Sequence, residues 1–175
     1  MKENLFKGLI LMCICVCCAL AISVVNTITS PIIVQNQIEK EAKLCRKIFV
    51  EFDEAKDQTT EGFENDKIVK RVKAEDASDN VLGYIYTVSG KNSYGIITLL
   101  VGIDNNGNLV SVQFMENGQS FSSETVNHVN TSYYDGMVLE DVNNVDTVCG
   151  ATYAAKLVKE LVTIAFEDYN SLEVA

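Results

Sequence analysis

The sequence predicts an α+β protein: an N-terminal transmembrane helix followed by one exported domain with a mostly antiparallel sheet flanked by helices. Three observations carry that prediction. Residues 8–38 hold no charged side chain. Four short runs between residues 68 and 115 have the alternation or the β-branched and aromatic content of strands. Apolar residues at helical spacing flank those runs on both sides.

The charge-free run comes first. Residues 9–25 are almost wholly apolar, and some twenty such residues, at about 1.5 Å each, cross a hydrocarbon core of about 30 Å. Lys2 and Lys7 precede the run and no charge follows until Glu39, so the positive-inside rule places the N-terminus in the cytoplasm of a single-pass cell-membrane protein. Residues 1–34 then form the cytoplasmic end, anchor and exit segment, and residues 35–175 the extracytoplasmic domain. Ala19-Leu20-Ala21 offers a rival, a signal peptide cleaved after a short apolar core. The retained anchor is preferred because the apolar run continues to a spanning length, and both readings export the domain. Cys13, Cys15, Cys17 and Cys18 lie in this segment. On a lipid-facing helix they point in different directions, so they read as small apolar side chains and not as metal ligands. A disulfide between the remaining pair, Cys45 and Cys149, cannot be inferred from sequence, and Cys45 is expected as a buried free thiol.

Pro31 is expected to stop or kink the helix. A second helix should follow, with Ile38, Ala42, Cys45, Phe49 and Phe52 on the face that covers a sheet. Residues 57–66 are polar and read as a loop. Strands are expected at 68–74, 81–88 and 96–103, the last as the central strand covered on both faces. Asp104-Asn105-Asn106-Gly107-Asn108 then predicts a hairpin into residues 109–115, with Asn106 and Gly107 both accepting positive φ. The same stretch fails as a calcium loop: with Gly107 in the glycine slot, Gly102 and Gln113 fall on the first and last ligand positions. His128, the only histidine, stands in a polar stretch with no partner that would make it a ligand or base. Tyr133 and Tyr134 are expected to pack in the core or on the surface.

Asp146-Thr147-Val148-Cys149-Gly150-Ala151-Thr152 leads into the last helix, whose apolar stripe is Ala151, Ala155, Val158, Val162, Ala165 and Phe166. Asp146 or Thr147 supplies a cap oxygen, Gly150 permits close backbone approach, and Thr152 places a hydroxyl in the first turn beside unpaired N–H groups. The helix dipole and those donors together favour a phosphate. A net charge of −10 with no stripe of Lys and Arg excludes nucleic acid as a partner. No acid–base pair, histidine-activated nucleophile or phosphate-cradling glycine loop is present, so no catalytic residue is assigned.

The motif resembles the Asp-x-x-Ser/Thr-Gly-Ala-Thr run of the FMN-binding domain family. That family includes the G subunit of Rnf-type ion-translocating electron transport complexes and the C subunit of the sodium-pumping NADH:quinone reductase. Gly90-x-x-x-Tyr94-Gly95, a strand ending Gly102-Ile103-Asp104 and the turn glycine extend the resemblance over roughly the last half of the chain. The resemblance implies FMN bound covalently to Thr152 through a phosphoester. A flavin transferase would recognise Asp146, Gly150, Ala151 and Thr152, and Cys149, Tyr94 and Gly95 would join the cofactor site. Where the family has Glu-Thr-Pro-Gly-Leu-Gly, this chain has Glu116-Asn117-Gly118-Gln119-Ser120-Phe121; two readings stand side by side, Gln119 and Ser120 bonding a flavin ring edge or belonging to a solvated loop. Cys149 replaces the usual Ser or Thr, and Ala154 and Ala155 replace polar residues. The implied function is electron transfer beside other membrane redox subunits at a lipid bilayer, with no resident metal. The alternatives are a free-standing anchored carrier or small reductase, and a flavin-free interaction module.

Overall fold

The computed structural model describes residues 2–173, which divide into two units after Lys40. The first unit is helical. It belongs to α1 (Lys2–Ile48), which is long and apolar enough to cross a membrane, with a mean hydropathy of 2.9 in its best window. Pro31 lies inside α1 and does not end it. Proline deletes one hydrogen bond of the ladder, and the flanking turns carry the helix across that gap. The separate second helix expected after Pro31 is therefore the C-terminal part of α1.

The second unit is built on a five-stranded antiparallel meander in the order β1 (Glu54–Thr59), β2 (Ile68–Glu75), β3 (Val81–Asn92), β4 (Gly95–Asp104) and β5 (Leu109–Asn117). β1 was not expected; it takes residues 57–59 out of the predicted loop. Its backbone pairs with β2 at the sheet edge, so it forms without the apolar alternation that marks its neighbours. Counting β1, the middle strand is β3. β4 is nevertheless covered on both faces: Ile97, Leu99, Val101 and Ile103 point into one core cluster and Leu100 into the other.

The first face is covered by α4 (Thr152–Glu173), whose predicted stripe is buried except for half-buried Ala151. The second face is covered by Leu44, Cys45, Ile48, Phe49 and Phe52 against Val72, Ala74, Ile85 and Leu100. The helical face drawn through Ile38 needs correction, since Ile38 is exposed and Leu44 and Ile48 are buried in its place. Cys45 is a buried free thiol and no disulfide joins it to Cys149. A bulge in β2 decides which face each side chain serves. Ile68 pairs with Val88 but Lys70 pairs with Thr87, so one extra residue, Val69, reverses the alternation. Ile68 therefore joins the α4 face and Val72 the opposite one.

Two hairpins close the same end of the sheet by one device. Asp104 accepts from the backbone N–H groups of Asn106 and Asn108, each at 2.8 Å, and Gly107 takes φ +77°. Asp76 likewise accepts from Ser78 at 2.8 Å and Asn80 at 2.9 Å, with Asp79 at φ +60°. Asn106 was expected at positive φ and is not. The aspartate holds a three-residue loop in which only the third residue is left-handed. The Asn105 side chain bonds the Val81 carbonyl at 2.6 Å, tying the two turns together.

Candidate functional site

The site lies at the other end of the sheet, where the β3–β4 turn, the end of β5 and the start of α4 converge. Asn92 organises the turn: its Oδ1 accepts from the Tyr94 N–H at 2.8 Å, and its Nδ2 donates to the Tyr153 carbonyl at 3.3 Å. Gln119 and Ser120 clamp the turn from the end of β5. Gln119 Nε2 donates to the Gly95 carbonyl at 2.7 Å. Ser120 donates to the Tyr94 carbonyl from its N–H at 2.8 Å and from its hydroxyl at 3.0 Å. Both side chains thus spend these donors on the backbone of the turn. Gly95, at φ +141°, lies so close that a Cβ there would fall 2.1 Å from the Gly118 carbonyl oxygen.

The segment entering α4 is held by its own polar atoms. Asp146 accepts from the Val148 N–H at 2.9 Å, a turn ahead of the helix and not the expected helix cap. Cys149 Sγ accepts from the Ala151 N–H at 3.4 Å. Thr152 donates its hydroxyl to the Cys149 carbonyl at 2.8 Å and accepts from the Cys149 N–H at 3.3 Å. The first helical bond runs from the Ala155 N–H to the Ala151 carbonyl, so the N–H groups of Thr152, Tyr153 and Ala154 precede the ladder and have no intrahelical acceptor. Lys159, one α4 residue that the sequence reading left outside the stripe, fixes the approach by donating to the carbonyls of Asn143 at 2.9 Å and Val145 at 3.0 Å.

A cleft of about 330 Å³ opens here, lined by Tyr94, Gln119, Gly150, Ala151 and Thr152 together with Phe121, Glu124, Thr125, Tyr153 and Ala154. Its volume falls at the small end of the range for ligand clefts, about 300–1,000 Å³. Three rings rim it: Tyr94 lies 6.3 Å from Phe121 and 5.5 Å from Tyr153, centroid to centroid. All three are exposed. Sequence reasoning missed Phe121, Glu124, Thr125, Tyr153 and Ala154; the available signal was the aromatic adjoining each end of the assigned residues, Phe121 after Ser120 and Tyr153 after Thr152.

Cys149 and Asp146 face a neighbouring cleft of about 310 Å³, shared with His128, Asn130, Tyr133 and Val148 among others. Tyr134 lines it too and is buried in the core, where burial holds its phenol well above the ordinary range, at about 12. Ser120 and Gly95 support the first cleft without lining it. Among the described residues no cluster of His, Cys, Asp or Glu could hold a metal ion.

Fold and cleft define an α+β domain with an aromatic-rimmed site at a helix N-terminus. Residues 93–167 match the FMN-binding domain family. No curated protein matches the chain. The matched segment contains Tyr94, Gly95, Gln119, Ser120 and the whole Asp146–Thr152 run, and the match supports a flavin-binding protein. The residues present fit FMN in two respects: exposed rings suit a planar heterocycle, and N–H groups at a helix start suit its phosphate.

Proposed function

We propose that the chain is a membrane-anchored electron-transfer flavoprotein carrying FMN covalently on Thr152, similar to the G subunit of an Rnf-type ion-translocating electron transport complex. The observation that carries this reading is the position of Thr152: its half-buried hydroxyl lies in the first turn of α4 on the wall of the aromatic-rimmed cleft. Loading from FAD by a flavin transferase would join the FMN phosphoryl group to Thr152 Oγ1, release AMP from the broken pyrophosphate bond and shed the hydroxyl proton. That hydroxyl must first leave the Cys149 carbonyl. The bound flavin supplies electron transfer. Tyr94, Phe121 and Tyr153 would hold its ring system and the N–H groups of Thr152, Tyr153 and Ala154 would bind its phosphate, while Gln119 holds the turn that carries Tyr94.

The alanines that depart from the family pattern have a packing reason. Ala154 and Ala155 are buried against the sheet, where a polar side chain would be desolvated without a partner. The anchor of α1 keeps the domain at the bilayer beside membrane redox subunits.

Thr152→Val tests the reading, because it keeps the shape and removes the hydroxyl. Co-expressed with a competent transferase, the wild-type chain should fluoresce on a denaturing gel and Thr152→Val should be dark, with unchanged circular dichroism. A dark wild-type band defeats the covalent reading and favours the flavin-free module. Recovery of the loaded chain without other membrane subunits favours the free-standing carrier.

A further inference from the structure

The assigned site contains an electrostatic mismatch. Neither cleft has a Lys or Arg in its lining, while Glu124 lines the first and Asp146 the second. A phosphodiester on Thr152 would thus share its cleft with the Glu124 carboxylate and with no permanent cation. The one lining side chain that can become positive is His128.

His128 also makes the closest approach to the motif. It ends α2 (Ser122–His128), and its ring occupies the space over Gly150: a Cβ on Gly150 would fall 2.7 Å from both Cδ2 and Nε2 and 2.8 Å from Cε1. Glycine at position 150 is what lets the imidazole lie against the backbone two residues before Thr152. Nε2 is 3.2 Å from Glu124 Oε2, so the pair spans the motif, Glu124 facing the first cleft and His128 the second. Besides Glu124 on its own helix, the titratable groups sharing the His128 cleft are Asp146 and Cys149 of the motif and Tyr133 and Tyr134 of the 3-10 turn at Thr131–Tyr134.

We propose that His128 is a positioning residue of this site: its ring braces the Gly150 turn, and as imidazolium it supplies the only cationic side chain lining either cleft beside a phosphoryl group on Thr152. The assignment rests on the flavin reading above. Only the protonated imidazole carries a positive charge, so varying pH separates the charged part of this role from the packing part. His128 is partly exposed, its side chain 45% accessible, and exposed ion pairs contribute only fractions of a kcal/mol. The expected effect is accordingly a few-fold one.

The test uses the full-length chain, flavin-free, with purified flavin transferase, FAD and magnesium. Initial loading rates are compared for wild type, His128→Gln and His128→Lys from pH 5.5 to 8.5. The wild-type to His128→Gln ratio should be about threefold at the acid end of this range and smaller at the basic end, and His128→Lys should keep the advantage throughout. A ratio that stays constant with pH means that the ring only packs, and overturns the proposal; so does a His128→Lys profile that follows His128→Gln. Because the chain has a single histidine, a second measurement needs no flavin. Ring-labelled histidine gives one NMR resonance, which inorganic phosphate at pH 6 should move further than chloride of equal ionic strength does. Equal movement by both salts overturns the proposal. If the wild-type chain never loads, the covalent reading fails, and the phosphate titration still decides the role of His128.

Discussion

The placement of Gly150, Ala151 and Thr152 at the start of α4 was legible, because a polar, small-residue approach to an amphipathic helix has a defined backbone consequence, a row of N–H groups that precede the helical ladder. The use of Gln119 and Ser120 was not legible. Sequence shows which atoms an amide or hydroxyl can offer, and only the folded turn shows that both are already bonded to the carbonyls of Tyr94 and Gly95. Asp104 has a further consequence at this scale. Burial opposes its charge, yet four hydrogen bonds from Asn106 and Asn108 outweigh that cost and hold its carboxyl below the usual carboxylate range. A depressed native value means that its stabilisation is complete above the unfolded value of about 3.9 and is lost as pH falls below it. Asp104→Asn should therefore cost about 1 kcal/mol at pH 7. The gap from wild type should narrow by pH 3, as read from urea midpoints at both pH values.

At the scale of elements, legibility followed apolar patterning. Strands β2 to β5 and α4 carry it and were found. β1 lacks it, since Glu54-Ala55-Lys56-Asp57-Gln58-Thr59 is nearly all polar and is held by backbone pairing. α2 and α3 (Leu139–Asn144) are two turns or less. Such lengths are too short to show a period and depend on tertiary contacts. The face reversal in β2 was hidden for another reason: a bulge changes no residue type, only which partner each residue meets. The β4–β5 hairpin depends on the left-handed Gly107. A Cβ there meets only Tyr169 Cε1 at an ordinary 3.6 Å, so the penalty is conformational. Gly107→Ala should cost about 1–2 kcal/mol, measurable as a lowered midpoint in thermal melts, with the motif and its loading unaffected.

For the whole molecule, the sheet must be joined to the helix that carries the motif. Apolar packing does most of this, and one ion pair adds direction: Arg71 Nη1 of β2 lies 2.6 Å from Asp168 Oδ2 of α4, with both side chains largely shielded. Arg71 also stacks on Phe63, its guanidinium carbon 5.5 Å from the ring centroid. The Tyr86 hydroxyl is buried against this pair, which faces it with both charges. Removing one charge leaves the other stranded, so Arg71→Ala should cost about 2 kcal/mol. Arg71→Met with Asp168→Leu should restore most of that loss, as judged by a double-mutant cycle in urea.

The two ends of the sheet have different duties. The closures at Asp76 and Asp104 and the cleft at Tyr94 and Thr152 are separated by the ten residues of β4, about 30 Å of extended chain. Substitutions at such distance contribute independently to stability. The cleft can therefore be altered step by step on a background reinforced at the far turns, where a glycine replacing the left-handed Asp79 is the natural first choice. The domain can in this way accept changes in its ligand chemistry without a matching search for compensating changes elsewhere.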